Sequence, residues 1–348
     1  MLRVPLFRFR YGDHLSMEEV AELVAPHPDT LDLVTSWLEY NGVPTSSIST
    51  TLAGAWLAVA DVPVSQANDL LGASYQLYYH AGRNDTILRT AGYALPASLH
   101  VHVKTVVPTT AFTSSRLLQQ TSRGRSSEAA APNVTSGEPV NMLSRRQQEE
   151  NENIDPSTLR SMYKTETYVP NLAQTNSILG IVSSDNEYPN LKELSVFLNR
   201  FRSNPVFQSV TFKPVDQNMP AGFISGRANL FTQYAAAMAF PIPIYFYNGT
   251  GPAKYSKKRK RVQGDDVVLQ WLKYTVGRHD IPQTIALMTE GTRESSLTKE
   301  YAESVCKMFA VLGANGVTVL VASGDGGVGA GKCKNFYVNF PASCTCDF

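Results

Sequence analysis

The stretch Val317-Thr-Val-Leu-Val-Ala322, followed by Ser323-Gly-Asp-Gly-Gly327, decides the predicted fold. A short continuous apolar run that ends at glycines indicates a strand buried on both faces. Such strands belong to parallel sheets whose two faces are covered by helices. In those sheets functional side chains gather at the carboxyl ends of the strands, so Asp325 becomes the first candidate for chemistry.

The same kind of strand recurs upstream of that stretch. Apolar runs with the length of buried strands lie at 177–182, 242–247 and 284–288. Helical patterns alternate with them at 191–201, 228–240, 267–276 and 298–313. Because alternating strands and helices indicate a parallel sheet, we predict an α/β, doubly wound fold for residues 153–348.

Residues 1–112 carry a different pattern, typical of a small α+β domain. Ser16-Met-Glu-Glu19 is a capping box that starts a helix with Val20, Leu23 and Val24 on its apolar stripe. Pro28 suits the first turn of a second helix. Short strand candidates follow at 56–59, 75–78 and 86–89.

The stretch 113–152 is predicted to be a disordered linker between these two regions. It is rich in Ser, Gln, Glu and Arg and holds few large apolar residues, so it cannot bury enough surface to order itself. Arg145-Arg146 lies near its end, where a protease that cuts after paired basic residues can reach it, although two solvated arginines are the simpler interpretation.

Charge and hydropathy exclude several classes of partner. The chain has 348 residues and a formal net charge of +1, which argues against a general attraction to nucleic acid or to a membrane surface. No apolar run approaches the roughly 20 residues that a membrane-spanning helix needs. We therefore predict neither a nucleic-acid partner nor a membrane partner.

Cysteines and glycosylation motifs bear on the cellular compartment. The 4 cysteines lie at Cys306, Cys333, Cys344 and Cys346. Their spacing does not match a zinc site, and their pairing stays open. Asn-X-Ser/Thr motifs at Asn84, Asn133 and Asn248 favour a secreted parent protein. The first residues lack the apolar core of a secretory signal, so no signal peptide is predicted in this chain.

Three other motifs resemble functional sites. Gly326-Gly-Val-Gly-Ala-Gly-Lys-Cys333 comes within one residue of a phosphate-binding loop, but it lacks the final hydroxyl and a following helix. The basic run Lys257-Lys-Arg-Lys-Arg261 is better interpreted as a solvated loop than as a nucleic-acid patch. His100 and His102 would share one face of a strand, but no third ligand accompanies them, so no metal is predicted.

Asp325 itself allows two interpretations on local pattern alone. A protonated carboxyl at a strand end can donate a hydrogen bond to the oxyanion of an acyl-transfer reaction. An aspartate between glycines can equally be a turn residue. The residues alone leave these two alternatives open.

The longer string Val317 to Gly329, running on to Phe340-Pro-Ala-Ser-Cys344, resembles the sedolisins. These are serine-carboxyl peptidases, and they include secreted fungal tripeptidyl-peptidases. Tyr11-Gly-Asp-His-Leu-Ser16 and Tyr93-Ala-Leu-Pro96 resemble the activation propeptide of the family, and Asp155 to Tyr163 resembles the start of its mature enzyme. The resemblance covers nearly the whole chain apart from the linker and the basic run.

The resemblance implies a partial subtilisin-like, doubly wound parallel sheet preceded by a small α+β propeptide domain. It also implies a secreted precursor that acts on peptides or proteins at acid pH and is held inactive by its own propeptide. In the family a Glu and an Asp four residues apart on a helix act as the base, a serine in a later Ser-Gly-Thr-Ser motif is the nucleophile, and Asp325 matches the oxyanion aspartate.

The base positions are substituted in this chain. Glu-Ala-Asn-Leu-Asp of the family appears here as Arg227-Ala-Asn-Leu-Phe231. The i, i+4 spacing still places both side chains on one face of a helix. Arg227 has no proton-accepting atom and Phe231 has no titratable group, so neither can act as the general base.

The ends of the chain add two expectations. No Ser-Gly-Thr-Ser motif occurs before Phe348, and the calcium site of the family would lie beyond that residue, so we expect a precursor truncated at both ends that holds no cofactor and is inactive as given. As an alternative function, residues 1–112 would serve as a propeptide-like module that binds and inhibits, or assists the folding of, an active relative.

Overall fold

The structure is a computed structural model, and it describes fourteen ranges of the chain: 12–51, 54–79, 86–110, 112, 154–171, 176–183, 187–202, 209–215, 223–248, 262–263, 267–288, 292–323, 336 and 338–344. Asp325, the predicted linker, the basic run and the phosphate-loop-like stretch lie outside these described residues.

A five-stranded parallel sheet forms the centre of the C-terminal part, residues 154–344, which we call the sheet segment. Its strands are β5 (Leu179–Ser183), β7 (Val210–Pro214), β9 (Ile244–Asn248), β11 (Thr284–Met288) and β13 (Thr318–Val321). Their order across the sheet is β13-β11-β5-β9-β7, and every neighbouring pair is parallel. We call the ends at Ser183, Asn248, Met288 and Val321 the carboxyl edge.

Helices cover both faces of this sheet. They are α4 (Pro156–Met162), α5 (Leu191–Phe201), α6 (Gly226–Ala239), α7 (Val267–Thr275) and α8 (Lys299–Ala314). Ile181 of β5 packs in one core cluster with residues of α5 and α6, and its neighbour Val182 packs in another with residues of α7 and α8. Since successive strand residues point to opposite faces, both faces of the sheet are buried at β5, and the doubly wound α/β prediction is confirmed. The expectation that Val317–Ala322 is a strand buried on both faces is wrong, because β13 lies at an edge of the sheet and Leu320 is 55% exposed.

In its described residues, the N-terminal segment, residues 12–112, holds three α-helices and two antiparallel strand pairs. The helices are α1 (Met17–Val24), α2 (Pro28–Tyr40) and α3 (Val64–Leu71). The pairs are β1 (Ile48–Thr51) with β2 (Trp56–Val59), and β3 (Gln76–Tyr79) with β4 (Thr86–Arg89). Val34, Leu38, Val43 and Leu99 form a small core of their own.

Short strand pairs complete the described elements. They are formed by β6 (Glu187–Tyr188), β8 (Phe223–Ile224), β10 (Val262–Gln263), β12 (Thr292–Arg293) and β14 (Asn339–Phe340). β6 pairs with β8, β12 pairs with β14, and β10 joins β4 of the N-terminal segment. Sequence patterns do not reveal them, because two residues carry no measurable period.

The predicted capping box is confirmed at the start of α1. The backbone N–H of Glu19 donates to Ser16 Oγ at 3.1 Å, and that of Ser16 donates to Glu19 Oε2 at 2.7 Å. The predicted apolar stripe is only partly confirmed, because Val20 is buried whereas Leu23 is 60% exposed.

The prediction that His100 and His102 lie on a strand is wrong. Both lie in a turn that follows a short 3-10 helix, Ala97–Leu99, which Pro96 precedes. His100 Nε2 lies 2.9 Å from Leu95 O, and His102 Nδ1 lies 2.8 Å from Thr30 Oγ1. Their rings therefore hold the turn against its neighbours. In the described ranges, no group of three or more His, Cys, Asp or Glu is arranged to hold a metal ion.

A disulfide joins Cys306 of α8 to Cys344, with a Cα–Cα distance of 5.3 Å. It closes a sequence separation of 38 residues and ties the segment after β14 to the helix. The pairing that the spacing left open is thus assigned for these two cysteines. Cys333 and Cys346 lie outside the described residues.

The burial of Asn248 bears on the glycosylation motif at that residue. Asn248 is 1% exposed at the end of β9, so its motif cannot carry a glycan in this fold. Among the described helices, none combines the length and the apolar character that a membrane crossing requires.

Candidate active site at the carboxyl edge of the sheet

Helix α6 begins at the carboxyl edge and carries Arg227 and Phe231, the two residues that the resemblance aligns with the base pair. Ser225 caps its first turn, because Ser225 Oγ accepts a hydrogen bond from the backbone N–H of Ala228 at 3.0 Å. The same hydroxyl donates to Glu187 Oε2 at 2.7 Å, and Glu187 belongs to β6, which follows β5. The start of α6 is thereby tied to the end of a central strand.

Arg227 extends from the first turn of α6 to the carboxyl edge. Its Nη2 donates to the backbone carbonyl oxygen of Met288, the last residue of β11, at 2.8 Å. The side chain is half-buried. A guanidinium therefore occupies the place where the resemblance puts a carboxylate, and it supplies N–H donors and a positive charge.

Phe231 lies one turn further along α6. It is half-buried and packs against the cluster that contains Leu194, Leu198 and Phe246. The i, i+4 relation to Arg227 is thus present on the helix, as the spacing predicts. In this position the ring contributes apolar contact area and no group that can exchange a proton.

Small side chains bring α6 close to the sheet. Ala228, Thr232 and Ala236 are all 0% exposed and follow one another at intervals of four residues. This spacing makes a single stripe along the helix. The stripe packs in the cluster that includes Ile181 and Met288, so α6 is held rigidly over the carboxyl half of β5 and β11.

Two buried hydroxyls, one at the end of β5 and one on α6 itself, lack hydrogen-bond partners in the described part of the chain. They are Ser183 Oγ and Thr232 Oγ1, on residues that are both 0% exposed. Ser183 ends β5 and is in register with Asn248 on one side and with Met288 on the other. The carboxyl edge is therefore polar below α6, in contrast to the apolar layers deeper in the sheet.

Glu187 is a site residue that sequence reasoning missed. It is 4% exposed, and a carboxylate buried to this extent needs hydrogen bonds to compensate for lost hydration. Ser225 provides one of them. No local signal in the sequence marks Glu187, because a lone acid in a polar loop after a strand is common on protein surfaces.

Asp325, the residue predicted for the oxyanion position, lies outside the described residues. β13 ends at Val321, and Asp325 follows it outside the described ranges. Ser323 is described, and its backbone carbonyl oxygen accepts a hydrogen bond from Nδ2 of Asn339, the first residue of β14. The role of Asp325 therefore stays a prediction, as does the role of the stretch Gly326–Cys333.

Residues 9–112 match the family described as pro-kumamolisin, activation domain. This match covers all of the N-terminal segment and agrees with the propeptide-like pattern of residues 1–112.

Curated relatives extend the similarity over nearly the whole chain. The probable tripeptidyl-peptidase SED3 of Trichophyton verrucosum is 28% identical over 354 aligned residues, which cover 96% of this chain and 56% of the relative. The tripeptidyl-peptidase SED2 of Arthroderma otae is 27% identical over 97% of this chain and 57% of its own length. The chain thus spans little more than half the length of the curated relatives it matches.

A solved structure shows a weaker similarity. It is Pseudomonas sedolisin, a serine-carboxyl proteinase complexed with two molecules of pseudo-iodotyrostatin, with 18% identity, 55% of this chain covered, 51% of that chain covered and a TM-score of 0.40. Residues 9–112 thus match the activation domain, and nearly the whole chain is similar to part of the fungal tripeptidyl-peptidases, so the two comparisons together support a sedolisin-like precursor.

Proposed function

We propose that this chain is a sedolisin-like precursor that cannot catalyse peptide hydrolysis by the serine-carboxyl mechanism of its family. The observation that carries the proposal is the hydrogen bond from Arg227 Nη2 to Met288 O, because it commits the first base position to a guanidinium. A general base must be placed near the nucleophile and must be able to accept its proton. Arg227 does not meet the second requirement, because a guanidinium stays protonated and has no acceptor atom.

The second base position supports the same conclusion. Phe231 packs with the apolar cluster below α6, so its ring stabilises the helix and takes no part in proton transfer. Glu187 and Glu193 are both described carboxyl groups tied to the start of α6, since Glu187 accepts a hydrogen bond from the capping residue Ser225 and Glu193 accepts one from Asn229 Nδ2. In this arrangement Glu187 has a structural partner and does not replace the missing pair.

The proposed ancestral reaction is peptide cleavage at acid pH. Carboxyl groups ionise near pH 4 in the absence of perturbation, so a carboxylate base works best in acid. Asp325 would keep the oxyanion position of that reaction, and peptides or proteins would be the molecules that the carboxyl edge contacts. The disulfide between Cys306 and Cys344 supports secretion of the parent protein, since such bonds persist in oxidising compartments.

Two assays test the proposal. The purified chain, incubated with a tripeptidyl substrate between about pH 3 and pH 5, is expected to show no turnover. In parallel, the Arg and Phe of this chain are introduced at the matching positions of an active relative. We expect kcat to fall by about a hundredfold to ten-thousandfold, the usual contribution of a general base. An unimpaired relative, or turnover by this chain, would contradict the proposal.

A second candidate function is inhibition of an active relative by the N-terminal segment. The activation-domain match over residues 9–112 and the small core around Leu38 and Leu99 favour it. The test is titration of the whole chain against an active relative. Inhibition at nanomolar concentration would support this function, and no effect at micromolar concentration would exclude it.

A further inference from the structure

The N-terminal segment contributes to the principal core of the sheet segment. Val20 of α1 is 2% exposed and belongs to the same buried cluster as Trp271 of α7 and Val305, Met308 and Leu312 of α8. Other apolar residues of the N-terminal segment pack against this cluster: Met17, Ala21, Val24, Ala55, Trp56 and Val107. Helix α1 therefore covers apolar side chains that would otherwise face water.

Backbone contacts at the end of α8 add to this docking. The backbone N–H of Leu15 donates to Ala314 O at 3.0 Å. Gly316 follows with a φ of +81°, and a Cβ there would approach His14 Cδ2 to 2.5 Å. A glycine is required at this position both for its φ and for the close approach of the His14 ring.

A second contact between the two segments lies in the sheet of β3 and β4. Strand β10 of the sheet segment pairs in parallel with β4, with Val262 opposite Thr86 and Gln263 opposite Ile87. The sheet segment thus adds a strand to an edge of the N-terminal segment. Backbone hydrogen bonds of this kind do not depend on the ionisation of any side chain.

Ionic contacts between the segments are peripheral. Lys104 forms an ion pair with Glu303 of α8, and Lys299 Nζ lies 3.8 Å from the same carboxylate. His279 Nε2 lies 4.0 Å from Glu18 Oε1, with both side chains 76% exposed. Exposed pairs of this type contribute little to stability. Titrating the carboxylates in acid would remove these contacts and leave the apolar and backbone contacts in place.

We propose that the N-terminal segment is a permanent structural part of this protein, which remains bound after the chain between residues 113 and 152 is cut. The interface pairs α1 with α7 and α8 of the same molecule, through apolar contacts that do not weaken in acid. An activation domain that is released on maturation needs a separable interface, whereas here Val20 is a core residue. The proposal is independent of whether the carboxyl edge is catalytic.

The experiment uses the whole chain with a recognition sequence for a site-specific protease inserted between residues 130 and 131. After complete cleavage, the sample is analysed by size-exclusion chromatography with light scattering at about pH 7.5 and at about pH 4, where exposed carboxylates begin to titrate. We expect both fragments in one peak, with the mass of the intact chain, under both conditions. Separation of the fragments of the unsubstituted protein at either pH would overturn the proposal.

Two substitutions on one helix identify the responsible surface. Val20→Asp places a charge in the shared core, and we expect the free fragments to increase by about tenfold or more after cleavage. Leu23→Asp is the matched control, since Leu23 is 60% exposed on the same helix, and it is expected to leave the single peak unchanged. Equal release by both variants would place the interface elsewhere and contradict the proposal.

A third variant separates the ionic contacts from the apolar ones. Glu303→Gln removes the ion pair with Lys104, and we expect the fragments to stay together. Release by Glu303→Gln would show that the ion pair holds the segments and would overturn the apolar interface. If Val20→Asp fails to fold before cleavage, Val20→Ser takes its place, and the unsubstituted protein at about pH 4 still decides the question.

Discussion

The two faces of the central sheet differ in what covers them. On the face of α5 and α6, the described residues of the core cluster all belong to the sheet segment, and Ser183 and Thr232 each carry a buried hydroxyl. On the face of α7 and α8, the cluster is larger and includes Val20 of the N-terminal segment. The first face therefore carries the candidate site, and the second carries the contacts that unite the chain.

The two faces therefore differ in how far the effect of a substitution extends. At the start of α6, Arg227 and Phe231 contribute a hydrogen bond and an apolar contact within the sheet segment. At the start of α1, by contrast, a change at Val20 affects both segments at once, because Val20 packs in the cluster of α7 and α8.

The largest effect is expected from removal of the disulfide on the α8 face. Cys306→Ser opens the link to Cys344, whose sequence separation is 38 residues. In the chain-entropy description, closure of a loop of this length stabilises the folded state by about 4 kcal/mol. Urea denaturation of the variant and of the oxidised parent measures the loss. A change below about 1 kcal/mol would show that the disulfide does not restrain the unfolded chain.

A matched pair of leucines compares the two cores directly. Leu312→Ala on α8 and Leu198→Ala on α5 each remove a buried side chain, and each is expected to cost about 3 kcal/mol in the free energy of unfolding. Only Leu312→Ala should also weaken binding of the N-terminal segment after cleavage, because only Leu312 shares a cluster with Val20. Release by Leu198→Ala as well would mean that the two cores are coupled through the sheet.

Two substitutions that each remove a hydroxyl from α6 or from its cap are expected to change the free energy of unfolding in opposite directions. Thr232→Val replaces a buried hydroxyl that has no partner in the described residues, so we expect stabilisation by about 1 kcal/mol. Ser225→Ala removes the cap of α6 and the donor to Glu187, so we expect destabilisation by about 1 to 2 kcal/mol. Thermal unfolding of both variants is the measurement. Destabilisation by Thr232→Val would indicate that an ordered water or a ligand binds this hydroxyl.

The smallest effect is the pH dependence of the ion pair between the segments. Hydrogen bonding to Lys104 lowers the pKa of Glu303 below its ordinary value. A depressed carboxyl pKa gives stability that is present above the unfolded-state pKa and is lost as the pH falls through the folded-state pKa. Lys104→Ala should therefore flatten the fall in stability below about pH 4.5. Urea midpoints between neutral pH and acid pH measure this slope, and an unchanged slope would contradict the prediction.

Much of the fold follows from local sequence patterns. Strands β5, β9, β11 and β13 appear as continuous apolar runs, and the helices between them are marked by periodicity and capping residues. β7 escaped prediction because Val210–Pro214 lies at the edge of the sheet, where its residues are half-buried or exposed and form no apolar run.

Sequence patterns predict only part of the candidate site. Arg227 and Phe231 can be identified from the sequence because both lie in one short motif. The contact of Arg227 with Met288 is not visible, because the two residues are 61 positions apart. Glu187 was not predicted as a site residue either, because its burial depends on α6 lying above it.

By itself, the sequence of this protein determined the doubly wound α/β class and the activation-domain-like pattern of its first part, and it places Arg227 and Phe231 where the resemblance predicts a carboxyl pair. These properties depend on residue type and on spacing within single elements. Only the tertiary structure decided that Cys306 pairs with Cys344, that Asn248 is buried, and that Val20 belongs to the core of α7 and α8. Each of these depends on which elements meet in space, and an amphipathic helix such as α1 shows that a partner is required without showing which one.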